Sequence, residues 1–223
     1  MQTMLNDSII KQLNEVFQNL EQPVEIALFN DPTNPETSEA LQQLLGEVSA
    51  LSEKFHLSSY QMPEDAKLAA HYHLDKTPGF VLLGKTEGEP EDYGVRFAGF
   101  PGQYEFTSLI NDLVMVSQRR SGVRPETSAA LAELKDTLHL MVFVTPTCPY
   151  CPRAVILAHQ LAMESPLVQA EMIEATDFPA LAEQYNVSSV PHTVINHGQG
   201  EWIGALPEAA ALQEILHTLK QEQ

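Results

Sequence analysis

Two stretches of this chain repeat one another at a spacing of about half its length. Asp31-Pro32-Thr33-Asn34-Pro35-Glu36-Thr37 aligns with Thr145-Pro146-Thr147-Cys148-Pro149-Tyr150-Cys151, 114 residues further on (34 to 148), with Pro32/Pro146, Thr33/Thr147 and Pro35/Pro149 identical. The correspondence continues downstream. His71-Tyr72-His73-Leu74-Asp75-Lys76-Thr77-Pro78 parallels Gln184-Tyr185-Asn186-Val187-Ser188-Ser189-Val190-Pro191 at a shift of 113 (78 to 191). Self-similarity at a fixed spacing marks a duplicated structural unit and restricts the fold accordingly.

Each copy follows an apolar run of strand character, residues 24–29 in the first and 138–144 in the second. A second apolar run follows each proline of the downstream match, at 80–83 and 193–195. A hairpin and a closing helix come next, near 103–118 and 207–220. Each half therefore reads as strand, helix, strand, helix, strand, strand, helix, an α/β pattern with a mixed central sheet flanked by helices. The first half alone carries a leading helix, with the stripe Leu5, Ile9, Leu13, Val16, Phe17 and Leu20 turned to the core. The polar stretch 117–125 is the natural boundary, giving domains at 1–118 and 124–223 that are each large enough to bury a core.

The chain holds only two cysteines, Cys148 and Cys151, and both lie in the second copy of the repeat. A strand, a short turn, Cys-x-x-Cys and a helix form the context in which two thiols exchange disulfides. The reading makes Cys148 the N-cap of a helix over 149–164, with Pro149 at the first helical position. Unpaired backbone N–H groups and the helix dipole would then stabilise a Cys148 thiolate. Cys151, one turn further in, resolves a mixed disulfide formed at Cys148. Arg153 is a candidate source of added positive charge, although an arginine there is ordinarily just solvated.

Two other readings of the pair stand beside this one. A structural disulfide across so short a loop gains little, because the entropic benefit grows with loop length. Half of a zinc site needs two further ligands, and His192 and His197 are the nearest candidates. The residue types and their setting favour redox chemistry, with no metal.

At this point the residues resemble a known family. Tandem units with Thr-Pro-Thr-Cys-Pro-Tyr-Cys-Pro in the second are similar to the glutaredoxin-like protein disulfide oxidoreductases, which are two thioredoxin-like domains in one chain. Val95-Arg96-Phe97-Ala98-Gly99-Phe100-Pro101 and Glu105-Phe106-Thr107-Ser108-Leu109 resemble that family too. They also resemble the paired thioredoxin-like N-terminal region of the flavoprotein subunit of alkyl hydroperoxide reductase. The resemblance implies that Cys148 and Cys151 are the catalytic pair. It implies a cis-proline at Pro191 packed opposite them, with Val190 offering backbone hydrogen bonds to a substrate peptide. Pro149, Tyr150, Val190 and Pro191 are then the substrate-binding residues. Family members commonly carry a cysteine pair in each half, whereas Asn34 and Thr37 fill the first-half slots here. Asn34 reads as a plain helix cap, and the first half as redox-inactive, either holding substrate beside Thr77-Pro78 or serving the fold alone.

No stretch approaches the roughly 18 consecutive apolar residues of a membrane helix, and the first residues lack the pattern of a secretory signal. A cytoplasmic setting follows, in which a cysteine pair points to catalysis. With 30 acidic against 12 basic residues and a formal charge of −18, nucleic acid is a poor partner. Neither a dinucleotide fingerprint nor a P-loop is present, so the chain carries no cofactor of its own. Its expected partners are protein disulfides, a thioredoxin-reductase-like flavoprotein or small thiol as donor, and a peroxidase in the alternative reading of an electron carrier. A peptide-binding or chaperone module and a scaffold for a metal or iron–sulfur centre are the non-redox alternatives.

Overall fold

The computed structural model describes residues 3–220. After the leading helix α1 (Asp7–Val16), the first half runs β1 (Val24–Asn30), α2 (Pro35–Ser49), β2 (Phe55–Gln61), α3 (Ala66–His71), β3 (Gly79–Gly84), β4 (Glu91–Ala98) and α4 (Phe106–Gln118). The second half opens with α5 (Pro125–Ala132). It continues through β5 (Leu138–Val144), α6 (Cys151–Glu164), β6 (Val168–Glu174), α7 (Pro179–Gln184), β7 (His192–Ile195), β8 (Gly200–Ile203) and α8 (Glu208–Lys220). The repeat in the sequence is thus a repeat of elements. The second half also has a leading helix, contrary to the expectation that only the first would. In α5 only Thr127 and Leu131 are buried, so it carries no apolar stripe to betray it.

All eight strands join one sheet in the order β2-β1-β3-β4-β6-β5-β7-β8. Within each half the central strand pairs parallel with one neighbour and antiparallel with the other. The halves meet where β4 pairs parallel with β6, from Val95 opposite Ala170 to Ala98 opposite Ile173. That pairing covers two strand edges that would otherwise offer unpaired backbone groups.

Alternate residues of each strand feed opposite faces, and the two faces are organised differently. On one, α2, α4 and α6 lie over Ile26, Leu28, Phe80, Phe97, Val142 and Met172, and a single core crosses both halves. On the other, α3 covers Ala27, Phe29, Val81 and Leu83, while the segment containing α7 covers Met141, Phe143, Ile173 and Val194. A cleft of about 750 Å³ opens between those two cores.

Polar ties also cross the junction. His159 Nδ1 on α6 meets Asp112 Oδ2 on α4 at 2.6 Å, and His159 Nε2 donates to Arg96 O at 3.1 Å. Lys76 Nζ lies 2.7 Å from Glu171 Oε2. In the leading helix, Leu5, Leu13, Phe17 and Leu20 are buried, but Val16 is 38% exposed, against the expectation from the sequence. Neighbouring positions on a helix point about 100° apart, and it is Phe17 that takes the core-facing place, edge-on to Phe55.

Candidate active site

The loop after β5 carries Cys148 and Cys151 at the carboxyl end of the sheet, bonded to each other with their Cα atoms 5.5 Å apart. The pair is asymmetric. Cys148 keeps 7% of its surface exposed and Cys151 none, while Tyr150 between them is 64% exposed. Cys148 N–H donates to Thr145 O at 3.1 Å, which closes the turn leading into the motif.

The helix start differs from the expectation. Helix α6 begins at Cys151, with Tyr150 as its N-cap and a proline in its first turn, and residues 149–150 form a turn. The first half shows why. There Asn34 caps α2, its side-chain oxygen accepting from Thr37 N–H, and Ser38 N–H donates to Asn34 O at 3.2 Å. The counterpart of Ser38 is Pro152, which has no N–H to give to Cys148 O. The Cys148 sulfur is bonded to Cys151 and caps nothing. Cys148 therefore precedes the helix, and the cap geometry invoked for its thiolate is absent.

Three X-Pro bonds are cis: Thr77-Pro78, Val190-Pro191 and Met62-Pro63. The first two fall at matching places in the repeat, the second of them where the resemblance implied. Each precedes a central antiparallel strand, and each proline carbonyl accepts from a glycine N–H, Gly99 to Pro78 at 3.0 Å and Gly204 to Pro191 at 2.8 Å. Both glycines have positive φ, 84° and 95°, a conformation that favours glycine over residues with a side chain.

Pro191 is buried and Val190 half-buried. Val190 packs against the core cluster that contains both cysteines. Its own N–H and C=O take no hydrogen bond among the described residues. The corresponding loop of the first half is closed by a side-chain bridge, in which Thr77 Oγ1 donates to Asp31 Oδ2 at 2.8 Å. Thr145 and Val190 hold those two positions in the second half, and valine has no group to donate.

Two carboxyls that no sequence motif singles out lie at this end of the molecule. Glu105 belongs to the turn Gln103–Glu105, which packs on α6. Next to it, Tyr104 N–H donates to Pro146 O at 3.5 Å. Burial pushes the Glu105 carboxyl up to about 7; the Ser108 hydroxyl opposes the rise and the Asp112 carboxyl adds to it. Burial likewise raises Glu174, at the end of β6, against hydrogen bonds from Thr176 and from Asp177 N–H. Glu105 lies in one of the segments that carry the family resemblance, but its burial depends on the packing of the two halves.

Among the described residues no group of three or more His, Cys, Asp or Glu is placed to hold a metal ion. His192 and His197, the candidates for a zinc site, are engaged with Glu201 and His139. Nor is any described helix long and apolar enough to cross a membrane.

A pair of tandem thioredoxin-like units sharing one sheet, with a Cys-x-x-Cys pair bonded beside a cis-proline in the second, defines the class: a thioredoxin-fold protein of the disulfide-oxidoreductase type. Residues 138–217 match the thioredoxin domain family. Over 218 residues the chain is 28% identical to the alkyl hydroperoxide reductase flavoprotein AhpF of Staphylococcus aureus, a match that takes in 97% of this chain and 38% of that protein. The chain thus spans well under half the length of that relative.

Among solved structures, the NTD_N/C domain of alkylhydroperoxide reductase AhpF from Enterococcus faecalis superposes with a TM-score of 0.86 at 26% identity, over 95% of this chain and 99% of that one. A protein disulfide oxidoreductase from Aeropyrum pernix gives 0.85 at 28% identity, over 94% and 91%. The chain is similar to both kinds of protein along nearly its whole length.

Proposed function

We propose that the chain exchanges electrons with protein disulfides through Cys148 and Cys151. The observation that carries this reading is the bonded pair itself, with one sulfur-bearing residue at the surface, the other fully buried, and unpaired Val190 backbone beside them. In the reduced protein, the Cys148 thiolate attacks one sulfur of a substrate disulfide and expels the other as a thiolate. Cys151 then loses its proton and attacks the Cys148 sulfur, releasing the second substrate thiolate. The substrate gains two electrons, and the protein is left with the Cys148–Cys151 disulfide. A flavoprotein of the thioredoxin-reductase kind, or a small thiol, restores the dithiol.

Pro149, Tyr150, Val190 and Pro191 form the substrate-binding surface in this reading. The exposure of Tyr150 and the free backbone of Val190 support it, since an extended peptide can add its own hydrogen bonds to such an edge. Residues 1–118 and 124–223 are the two domains, the first redox-inactive because Asn34 and Thr37 replace the thiols. A reducing cytoplasm suits a chain whose only cysteines form a catalytic pair.

The second reading is an electron carrier that serves a peroxidase. The similarity to alkyl hydroperoxide reductase proteins favours it. The flavin-bearing part would then reside elsewhere. Reduction of insulin disulfides by dithiothreitol, with wild type, Cys148→Ser and Cys151→Ser compared, tests the general reading. Activity lost in both variants supports it. No wild-type activity above the dithiothreitol background, together with electron delivery to a purified peroxidase, would establish the carrier instead.

A further inference from the structure

A groove of about 840 Å³ opens on the first half, between the carboxyl end of β1, Gln61 of β2 and the first two turns of α2. It lies on the β2 side of the loop that matches the dithiol loop, away from Thr77-Pro78, which Asp31 bridges. Its lining contains Asp31, Glu36 and Glu39 and no lysine, arginine or histidine. Glu36 and Glu39 are exposed, and neither forms a salt bridge or hydrogen bond among the described residues.

A carboxylate in the first turn of a helix is explained by the helix dipole alone, which covers Glu36. It does not cover Asn30, which is only 8% exposed. Asn30 Nδ2 donates to Tyr60 O at 3.3 Å, whereas its Oδ1 is buried and accepts nothing. A buried acceptor without a donor is costly, and this one belongs to a residue that lines the groove. Asp31 has little left to offer, because its oxygens already accept from Thr33 and Thr77. The open acceptors are therefore Asn30 Oδ1 and the two glutamates, set among the apolar rings of Pro32 and Pro35.

We propose that this groove takes an extended segment of a partner protein that carries lysine or arginine. The cationic head pairs with Glu36 and Glu39, the aliphatic stem lies along Pro32 and Pro35, and an N–H of the segment supplies Asn30 Oδ1. The partner is the protein whose disulfide Cys148 and Cys151 exchange with, and to that extent the inference rests on the proposed function. The first half would thereby hold by charge what the second half reacts with, without chemistry of its own.

The test is a titration of the isotope-labelled, oxidised protein with acetyl-Ala-Lys-Ala-Arg-Ala-amide, followed by backbone amide shifts at low ionic strength, where surface charge pairs are least screened. Acetyl-Ala-Gln-Ala-Gln-Ala-amide is the control. Saturable shifts confined to residues 30–43 and 61 are expected, with the glutamine peptide and the Glu36→Gln/Glu39→Gln variant each at least fivefold weaker. Equal binding of the two peptides, unchanged binding by the variant, or shifts gathered at Tyr150 and Val190 would overturn the proposal. So would groove shifts that follow protein concentration without peptide, which would assign the groove to a second copy of the chain. The exchange reading fails separately. Loss of groove binding with disulfide exchange intact defeats only this inference, and absent exchange with groove binding intact defeats only the other.

Discussion

Thr37 stands in the repeat where Cys151 stands, and its hydroxyl donates to Asp177 Oδ1 of the other half at 3.2 Å. Asp177 Oδ2 in turn accepts from Phe100 N–H at 2.8 Å. The place of a resolving thiol has become a tie between the halves. The first half therefore lost more than sulfur at this position, since its side chain now serves the assembly of the sheet.

Replacing Thr37 with valine keeps the shape and removes the donor. A net loss of about 1 kcal/mol is expected for one such hydrogen bond, read as a lower urea midpoint at unchanged slope. Asp177→Asn should disturb the Phe100 bond as well. A double-mutant cycle between Thr37→Val and Asp177→Asn should show coupling of at least ~0.5 kcal/mol. Additive effects would mean that the contact contributes nothing to stability.

The repeat, the strand order within each half and the dithiol are legible because each leaves a local mark. Prolines punctuate matching loops, apolar runs form strands, and two lone cysteines are hard to miss. The start of α6 is not, because Pro149 in the favoured first position hides the consequence of Pro152 three residues later, where a missing N–H removes the first helical bond. Val16 and Phe17 cannot both face inward, and no local rule ranks a valine against a phenylalanine whose partner, Phe55, is distant in sequence. The β4–β6 pairing and the burial of Glu105, Asp112 and His159 are properties of the junction. They bring together residues from separate elements, and no spacing within either half encodes them.

Glu105 makes stability depend on pH. Its carboxyl is raised to about 7 from an ordinary 4.5, with burial the first cause. The folded state therefore holds the proton more tightly than the unfolded chain does. Stability from this group is fully present below the unfolded value and is lost as pH rises through the folded one. The full swing is on the order of 3 kcal/mol. Urea denaturation at about pH 5 and about pH 8 should show wild type losing more stability than Glu105→Gln across that interval. Parallel losses in the two proteins would place the titration elsewhere.

The pair formed by His159 and Asp112 is fully buried and joins α6 to α4. Burial raises the Asp112 carboxyl, and the charge and hydrogen bond of His159 oppose that rise. His159→Leu leaves the carboxyl without its partner and should destabilise by about 3–5 kcal/mol, as removal of one member of a buried pair does. Adding Asp112→Leu to His159→Leu should recover much of that loss, because no uncompensated polar group remains. If the double variant is no more stable than the single, packing and not charge explains the cost.

Tyr150 is the most exposed large apolar side chain beside the dithiol, at 64%. It sits in a turn before α6, where a ring so exposed adds little to the core. An aromatic ring left in solvent next to a reactive pair is well placed to grip a protein substrate, and aromatic anchors commonly carry more than ~1 kcal/mol of binding. Tyr150→Ala should therefore leave the unfolding midpoint within about 0.5 kcal/mol of wild type, as surface substitutions do. It should lower kcat/KM for a protein disulfide by roughly five- to tenfold, mainly through KM. Turnover of a small disulfide that is too short to reach the ring should be unchanged. An equal loss on both substrates would show that the ring acts on the thiols themselves, and no loss on either would leave Val190 and Pro191 to hold the substrate without it.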